Sequence, residues 1–203
     1  MIEFKNILPF KSAIDNINPL GNECWVELES VAYYKHLAKN EYFSREDQFT
    51  KEFGFVCKGI MRMFYLSEKG TEHNKHFFIE NDFVAASIDP DKKSISNIQA
   101  LASTTLICVP YPVFAKLLDK SKQFNKFFQK LTLGYLEQKQ QKEIQFSSNT
   151  AVDNYDYFKR NYPDLENKIP LFHVASYLGI TPTQLSRIRR GTKNTISSTY
   201  VND

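Results

Sequence analysis

The stretch "HVASYLGITPTQLSRIRRG", residues 173–191, fixes its own local structure more tightly than any other part of the chain. Leu171, Val174, Ala175 and Leu178 recur at i, i+3, i+4 and i+7, which is one apolar face of a short helix. Gly179 follows where a helix ends in the left-handed conformation that glycine adopts at least cost. Thr181 then suits an N-cap, Pro182 suits the first helical position, and Gln184 completes a capping box with Thr181. The spacing therefore predicts two short helices joined by a tight turn. On the second helix Leu185 and Ile188 share one side, with Ile180 packing just before it. Thr183, Arg187 and Arg190 fall on the opposite side and Ser186 flanks them.

Charge gives that outward face a meaning. From Asn167 to Asn202 there are five cations (Lys168, Arg187, Arg189, Arg190, Lys193) and no carboxylate. The whole chain of 203 residues carries a net charge of +3, so the remainder holds 21 cations against 23 anions. A basic terminus on an acidic body is the charge layout of a nucleic-acid reader attached to another domain. The two helices read as a helix-turn-helix whose second helix enters a major groove. An arginine fork can bond guanine bidentately, and phosphates draw the remaining cations. Thr181, Thr183, Gln184, Ser186, Arg187, Arg190 and Lys193 are the expected contacts to double-stranded DNA.

Upstream, the periodicity changes twice. Residues 1 to about 36 are helical in patches, with Trp25, Leu28, Val31 and Ala32 at helical spacing. From 37 to 110, β-branched and aromatic runs such as "FGFVCKGIMRMFYL" and "NIQALASTTLICVPY" alternate with turns such as "SEKG". Frequent strands with no helix between them point to an antiparallel sandwich or barrel. After Pro112 an aromatic stripe (Phe114, Leu117, Leu118, Ser121, Phe124, Phe128, Leu131, Tyr135) steps by three or four. It predicts one helix from 112 to 145, roughly 50 Å long at 1.5 Å per residue. The stripe either covers the sheet or, because the helix outruns what one small sheet can cover, pairs with a second copy of the chain, and Phe124, Phe128, Leu131 and Tyr135 are the expected seam of that pairing. "QFSSNT" breaks the stripe. Ser148 or Asn149 is the expected cap of a further helix at 150–161 that turns Val152, Tyr155 and Phe158 inward.

The expected fold is α+β. An antiparallel β sandwich or barrel with N-terminal helices, which the family resemblance given below makes a jelly roll, takes residues 1–110, a long dimerisation helix 111–146, and a small all-α helix-turn-helix domain 147–203. Cys24, Cys57 and Cys108 are scattered and form neither a zinc motif nor a disulfide framework, which fits a reducing cytosol. The N-terminus has no signal-peptide pattern, and no apolar run reaches the ~20 residues of a membrane span, so a cytoplasmic protein without membrane contact is expected. His73 and His76 lie three apart in a strand and would point to opposite faces, a poor metal pair. No cofactor is expected. There is no Ser-His-Asp spacing, glycine-rich phosphate loop or His-Glu-x-x-His, which argues against an enzyme.

The order of "VCKGIMRMFY", "ENDFVAAS", a long helix and "VASYLGITPTQLSRIRR" resembles the Crp/Fnr superfamily of transcription regulators, and within it the short-tailed members of Bacteroidetes-type bacteria. The resemblance covers nearly the whole chain. It implies a cyclic-nucleotide-binding-type sensor, a homodimer, base reading by Thr183 and Arg187, a phosphate contact from Thr181, and RNA polymerase as a further partner. It also marks departures. Members that bind cyclic AMP carry a Gly-Glu after the "DF" strand, and here Ala85 and Ala86 stand there. Their phosphate-gripping arginine falls at Ser94. A pocket built from Phe83, Ala85, Ala86, Ser94 and Ile95 would leave a cyclic phosphate unpaired, unless Lys92 or Lys93 moves in. The effector would then be an unknown small molecule other than cyclic AMP, or absent. Two readings follow: a dimeric DNA-binding regulator with a degenerate sensor, or a sensor that binds another small ligand or a protein partner and has lost specific DNA binding. The paired wing strands of many relatives are expected to be reduced, and "TKNTISSTYVND" to be a frayed end.

Overall fold

The computed structural model describes residues 7–87, 89 and 92–199, with side chains as far as Gly191. Two helices, α1 (Leu8–Ile17) and α2 (Asn22–Val31), lead into eight strands. These are β1 (Tyr33–Leu37), β2 (Tyr42–Ser44), β3 (Glu52–Lys58), β4 (Met61–Leu66), β5 (Glu72–Phe78), β6 (Phe83–Val84), β7 (Asn97–Ala100) and β8 (Thr104–Pro110). They form two antiparallel four-stranded sheets, β1-β8-β3-β6 and β2-β7-β4-β5, a sandwich as the strand spacing predicts and the jelly roll that the family resemblance implies. The first strand starts at Tyr33, a few residues inside the segment whose pattern reads as helical. The "SEKG" turn joins β4 to β5 and uses Gly70 at φ 75°, a conformation open to glycine.

The strand period of two sorts the core into layers. On β8, Leu106 and Cys108 point between the sheets and join Val56, Met61, Ile98 and Val84. Their neighbours Ile107 and Val109 point outward with Phe53 and Phe55, and α1, α2 and the following helices cover them. Both faces of the central strands β3 and β8 are therefore largely buried, while β1 at the edge exposes Tyr34 and His36, and this is why β8 reads as a nearly continuous apolar run.

The long stripe after Pro112 forms two helices, not one. They are α3 (Tyr111–Lys120) and α4 (Lys122–Ser148). Ser121 is extended between them at φ −109°, ψ 110°, and its hydroxyl accepts a hydrogen bond from Phe124 N at 3.2 Å as the N-cap of α4. The break folds α3 back on α4, so Phe114 meets Phe124 and Phe128 at ring-centroid distances of 5.1 Å each. Next come α5 (Ala151–Asn161), a 3-10 turn at Leu165–Asn167, α6 (Leu171–Leu178) and α7 (Pro182–Thr199). The cap of α5 is Thr150, which forms a reciprocal capping box with Asp153, in place of the expected Ser148 or Asn149. That choice of register leaves Val152 exposed, while Tyr155 and Phe158 are buried as expected. The α7 backbone stays helical to Thr199, where the polar composition had been read as a frayed end.

The C-terminal helices dock on the outer face of the second sheet. Tyr155, Phe158, Tyr162, Leu165, Val174, Tyr177, Leu178 and Leu185 share one core with Ile60, Phe77 and Leu101 of the roll. An antiparallel sheet commonly leaves such a face to solvent. Here all four residues of β7 are buried.

Candidate nucleic-acid face and sensor pocket

Gly179 ends α6 at φ 68°, and Ile180 N donates back to Ala175 O at 3.0 Å. Thr181 N donates to Gln184 Oε1 at 2.9 Å and Gln184 N to Thr181 Oγ1 at 3.2 Å, so the capping box closes in both directions. Leu185 is buried, and Ile180 and Ile188 pack partly against the same core. This anchors one side of α7 and leaves Thr181, Thr183, Gln184, Ser186, Arg187 and Arg190 exposed to solvent. Lys193 lies outside the described side chains.

The three arginines of α7 are not equivalent. Arg189 Nε sits 3.1 Å from Glu166 Oε2, an ion-pair distance without hydrogen-bond alignment, and is mostly buried. Tyr155 donates its hydroxyl to the same Glu166 carboxylate at 2.5 Å. Burial and that carboxylate push the Tyr155 phenol up to about 12. The compensating acid stands one residue upstream of the acid-free window, which is why the sequence pattern hides it. Arg187 and Arg190 lie on the exposed side, with Arg190 Nε donating to Ser186 O at 3.4 Å.

The expected effector pocket is dispersed. Phe83 turns to the helical side of its sheet, where its ring lies 5.3–6.2 Å from Phe10, Phe53, Phe55 and Phe127. It is a core residue and not a pocket wall. Ala85 packs against the same core. Ile95 is 86% exposed and cannot line a cavity. Ser94 is buried, but its hydroxyl donates to Ser96 O at 2.7 Å and accepts from Ser96 N at 3.2 Å within its own loop. Lys92 is exposed and paired with Asp89 at 3.6 Å, and Lys93 is exposed with its backbone bridging Phe49.

Of those residues, Ala86 borders a described cavity. It is a polar hollow of about 180 Å³ lined also by Lys35, Tyr42, Ser44, Thr50, Lys51 and Glu52 among others. Small-molecule sites generally start near ~300 Å³. The Lys35 cation is committed, since its Nζ lies 2.8 Å from Glu52. Burial raises the Glu52 carboxyl, but hydrogen bonds from Lys35 and Tyr33 outweigh that and hold it below the ordinary carboxylate range.

On α4, the four residues expected to form a seam divide between two faces. Phe124 is buried in the protomer's own core, and Phe128 and Leu131 pack partly against it. Tyr135 meets the His76 ring edge-on at 5.7 Å. The helix instead exposes Leu133, Leu136 and Ile144, and an apolar groove lined by Phe128, Gln129, Thr132 and Leu133.

Among the described residues no helix is long and apolar enough to cross a membrane, and no three His, Cys, Asp or Glu side chains come together as metal ligands.

The architecture is a jelly roll, a long helix and C-terminal helices, and it can be compared with known proteins. Residues 34–121 match the cyclic nucleotide-binding domain family. The fold is that of solved Crp/Fnr-type regulators. FixK2 from Bradyrhizobium japonicum superposes with a TM-score of 0.71 at 17% identity, over 81% of this chain and 86% of that one. A Crp/Fnr-family protein from Eubacterium rectale gives 0.71 at 16% identity, over 89% and 88%. The c-di-GMP responsive global regulator CLP from Xanthomonas campestris gives 0.65 at 10%, over 86% and 93%. No curated protein sequence matches the chain.

Proposed function

We propose that this protein is a dimeric, sequence-specific DNA-binding transcription regulator whose sensor pocket does not hold cyclic AMP in its family's manner. The observation that carries the reading is the exposed, acid-free face of α7, fixed by a closed capping box and by buried Leu185. Such a face presents hydroxyl, amide and guanidinium groups to base edges and phosphates. The roll and α4 precede it in the order found in the matched Crp/Fnr-type structures. Two copies joined along α4 would read half-sites about one DNA turn apart, ~34 Å. The sensor reading rests on Ala85, Ala86 and Ser94, which offer neither a ribose acceptor nor a phosphate cation.

Arg187→Ala tests the reading directly. It is expected to cost roughly 1–3 kcal/mol on a duplex selected from a random pool and to relax preference at one base pair. Lys193→Ala is expected to weaken all DNA about equally and to make the salt slope shallower by about one. Equal losses on selected and random DNA for Arg187→Ala would remove the base-reading role. Failure to select any duplex would favour a sensor that acts through a protein partner.

A further inference from the structure

The contact between the second sheet and α6 has two unlike halves. One is aromatic: Phe77 of β5 is caged by Phe158, Tyr162 and Tyr177 at 5.4–6.2 Å. The other is polar and centres on Arg62 of β4, which is 4% exposed. Its Nε and Nη2 donate to Gln99 Oε1 at 3.0 and 2.7 Å, and its Nη1 reaches Glu72, Asn74 Oδ1 and His173 Nδ1. Asn74 Nδ2 donates to His173 O at 2.9 Å. Asn74 N donates to Ser176 Oγ at 3.0 Å, and that hydroxyl donates to Glu72 O at 2.9 Å. His173 and Ser176 are the α6 members; the others belong to the roll.

We propose that Arg62, Asn74, His173 and Ser176 form a lock that holds the C-terminal helices in one orientation on the sensor and so presets the spacing of the two recognition helices. This rests on the dimeric DNA-binding reading above. A buried ionic network stabilises little over an apolar contact of the same size, because desolvation offsets attraction. Its bonds are directional, so it selects one docked pose among the many the Phe77 cage alone would tolerate. The covalent connection at the other end is short: only Asn149 and Thr150 stand between α4 and α5. The docked side is α5 and α6, while Thr183 and Arg187 stay exposed. The lock therefore preorganises the reading face without covering it, and its benefit falls on the second half-site of a two-site duplex.

The test uses Asn74→Ala in the full chain, with Ser176→Ala as a second variant that alters only the docked helices. Limited proteolysis at the α4–α5 junction needs no DNA and is expected to speed up at least tenfold. A palindromic duplex, selected by the wild-type protein from a random pool, is expected to bind about tenfold more weakly. A single half-site of that duplex should bind as before. His173→Gln, which keeps a side-chain acceptor, should restore most of the wild-type behaviour that His173→Ala loses. Unchanged proteolysis in both first variants would overturn the lock. Faster proteolysis with equal losses on whole and half sites would overturn the spacing role. If the wild type selects no duplex, the DNA-binding reading fails, and proteolysis alone still decides whether the lock exists.

Discussion

Helix α4 carries two apolar faces, one buried in its own chain and one proposed as the seam between two copies, and paired substitutions separate them. Phe124 is 1% exposed and packs on Phe114 and Phe127 of its own chain. Removing a buried phenylalanine ring costs about 3–5 kcal/mol, so Phe124→Ala is expected to lower the melting temperature by about 6–20 °C in a chain of this size. Leu133 and Leu136 are 58% and 52% exposed. Full burial of a leucine is worth about 1.5–3 kcal/mol, so each retains about half of that for a partner. Two leucines from each of two chains then total ~4 kcal/mol, about a thousandfold in the dimer dissociation constant. The double variant Leu133→Glu, Leu136→Glu forfeits that and adds four like charges to the seam, while exposed changes cost the monomer within about 0.5 kcal/mol each. Sedimentation equilibrium should find the double variant monomeric at micromolar concentration, and a thermal scan at a dilution where both proteins are monomeric should find nearly equal melting temperatures. A double variant that stays dimeric would place the seam elsewhere. So would a Phe124→Ala protein that dissociates with its melting temperature intact.

Three further outcomes follow from named groups. Arg189→Ala breaks the pair with Glu166 and should destabilise the C-terminal helices by about 1–2 kcal/mol in urea titration while leaving base preference unchanged, the reverse of Arg187→Ala. Burial holds His76 and His173 down to about 4, so below their unfolded value near ~6.5 the unfolded chain takes up protons first and stability falls as pH falls. Burial raises Asp82 to about 6, which offsets part of this below that pH, so the net loss from pH 7 to pH 5 should be about 2–3 kcal/mol; a flat urea midpoint over that range would refute the neutral, buried histidines. Millimolar cyclic AMP should leave the melting temperature unmoved, whereas binding at a hundred times its dissociation constant would add about 2.7 kcal/mol, or roughly 5–10 °C, and would show that a lysine reaches the phosphate after all.

What was legible in the chain was whatever a local rule specifies. Gly179, Thr181 and Gln184 satisfy backbone groups within a few residues, so the turn and the start of α7 follow from the sequence. Strand spacing points to an antiparallel sandwich or barrel for the same reason. The break at Ser121 was masked because Leu117, Ser121 and Phe124 keep a helical interval across it. The clue was the serine, a good N-cap lying in an otherwise apolar stripe. Without the break, α3 and α4 merge and Phe124 is assigned to a partner chain instead of to Phe114.

Periodicity states which residues share a face and is silent on what covers that face. Arg62 and Gln99 stand between apolar neighbours and Asn74 between His73 and Lys75, as on the wet side of an antiparallel sheet. Their burial comes from a helix about a hundred residues downstream, through the Asn74 bonds to His173 and Ser176. α6 carries the matching signal. Val174, Ala175 and Leu178 serve the contact with α7, yet His173 and Tyr177, one position off that stripe, are buried as well. A short helix packed beside α7 needs one apolar face to hold that partner; a second buried face on so short a helix requires a second surface to meet it. A lone arginine inside "GIMRMFYL" and a tyrosine and histidine flanking the α6 stripe are thus two halves of one contact. Each is unremarkable alone, and they acquire a common explanation when the roll and the C-terminal helices are docked.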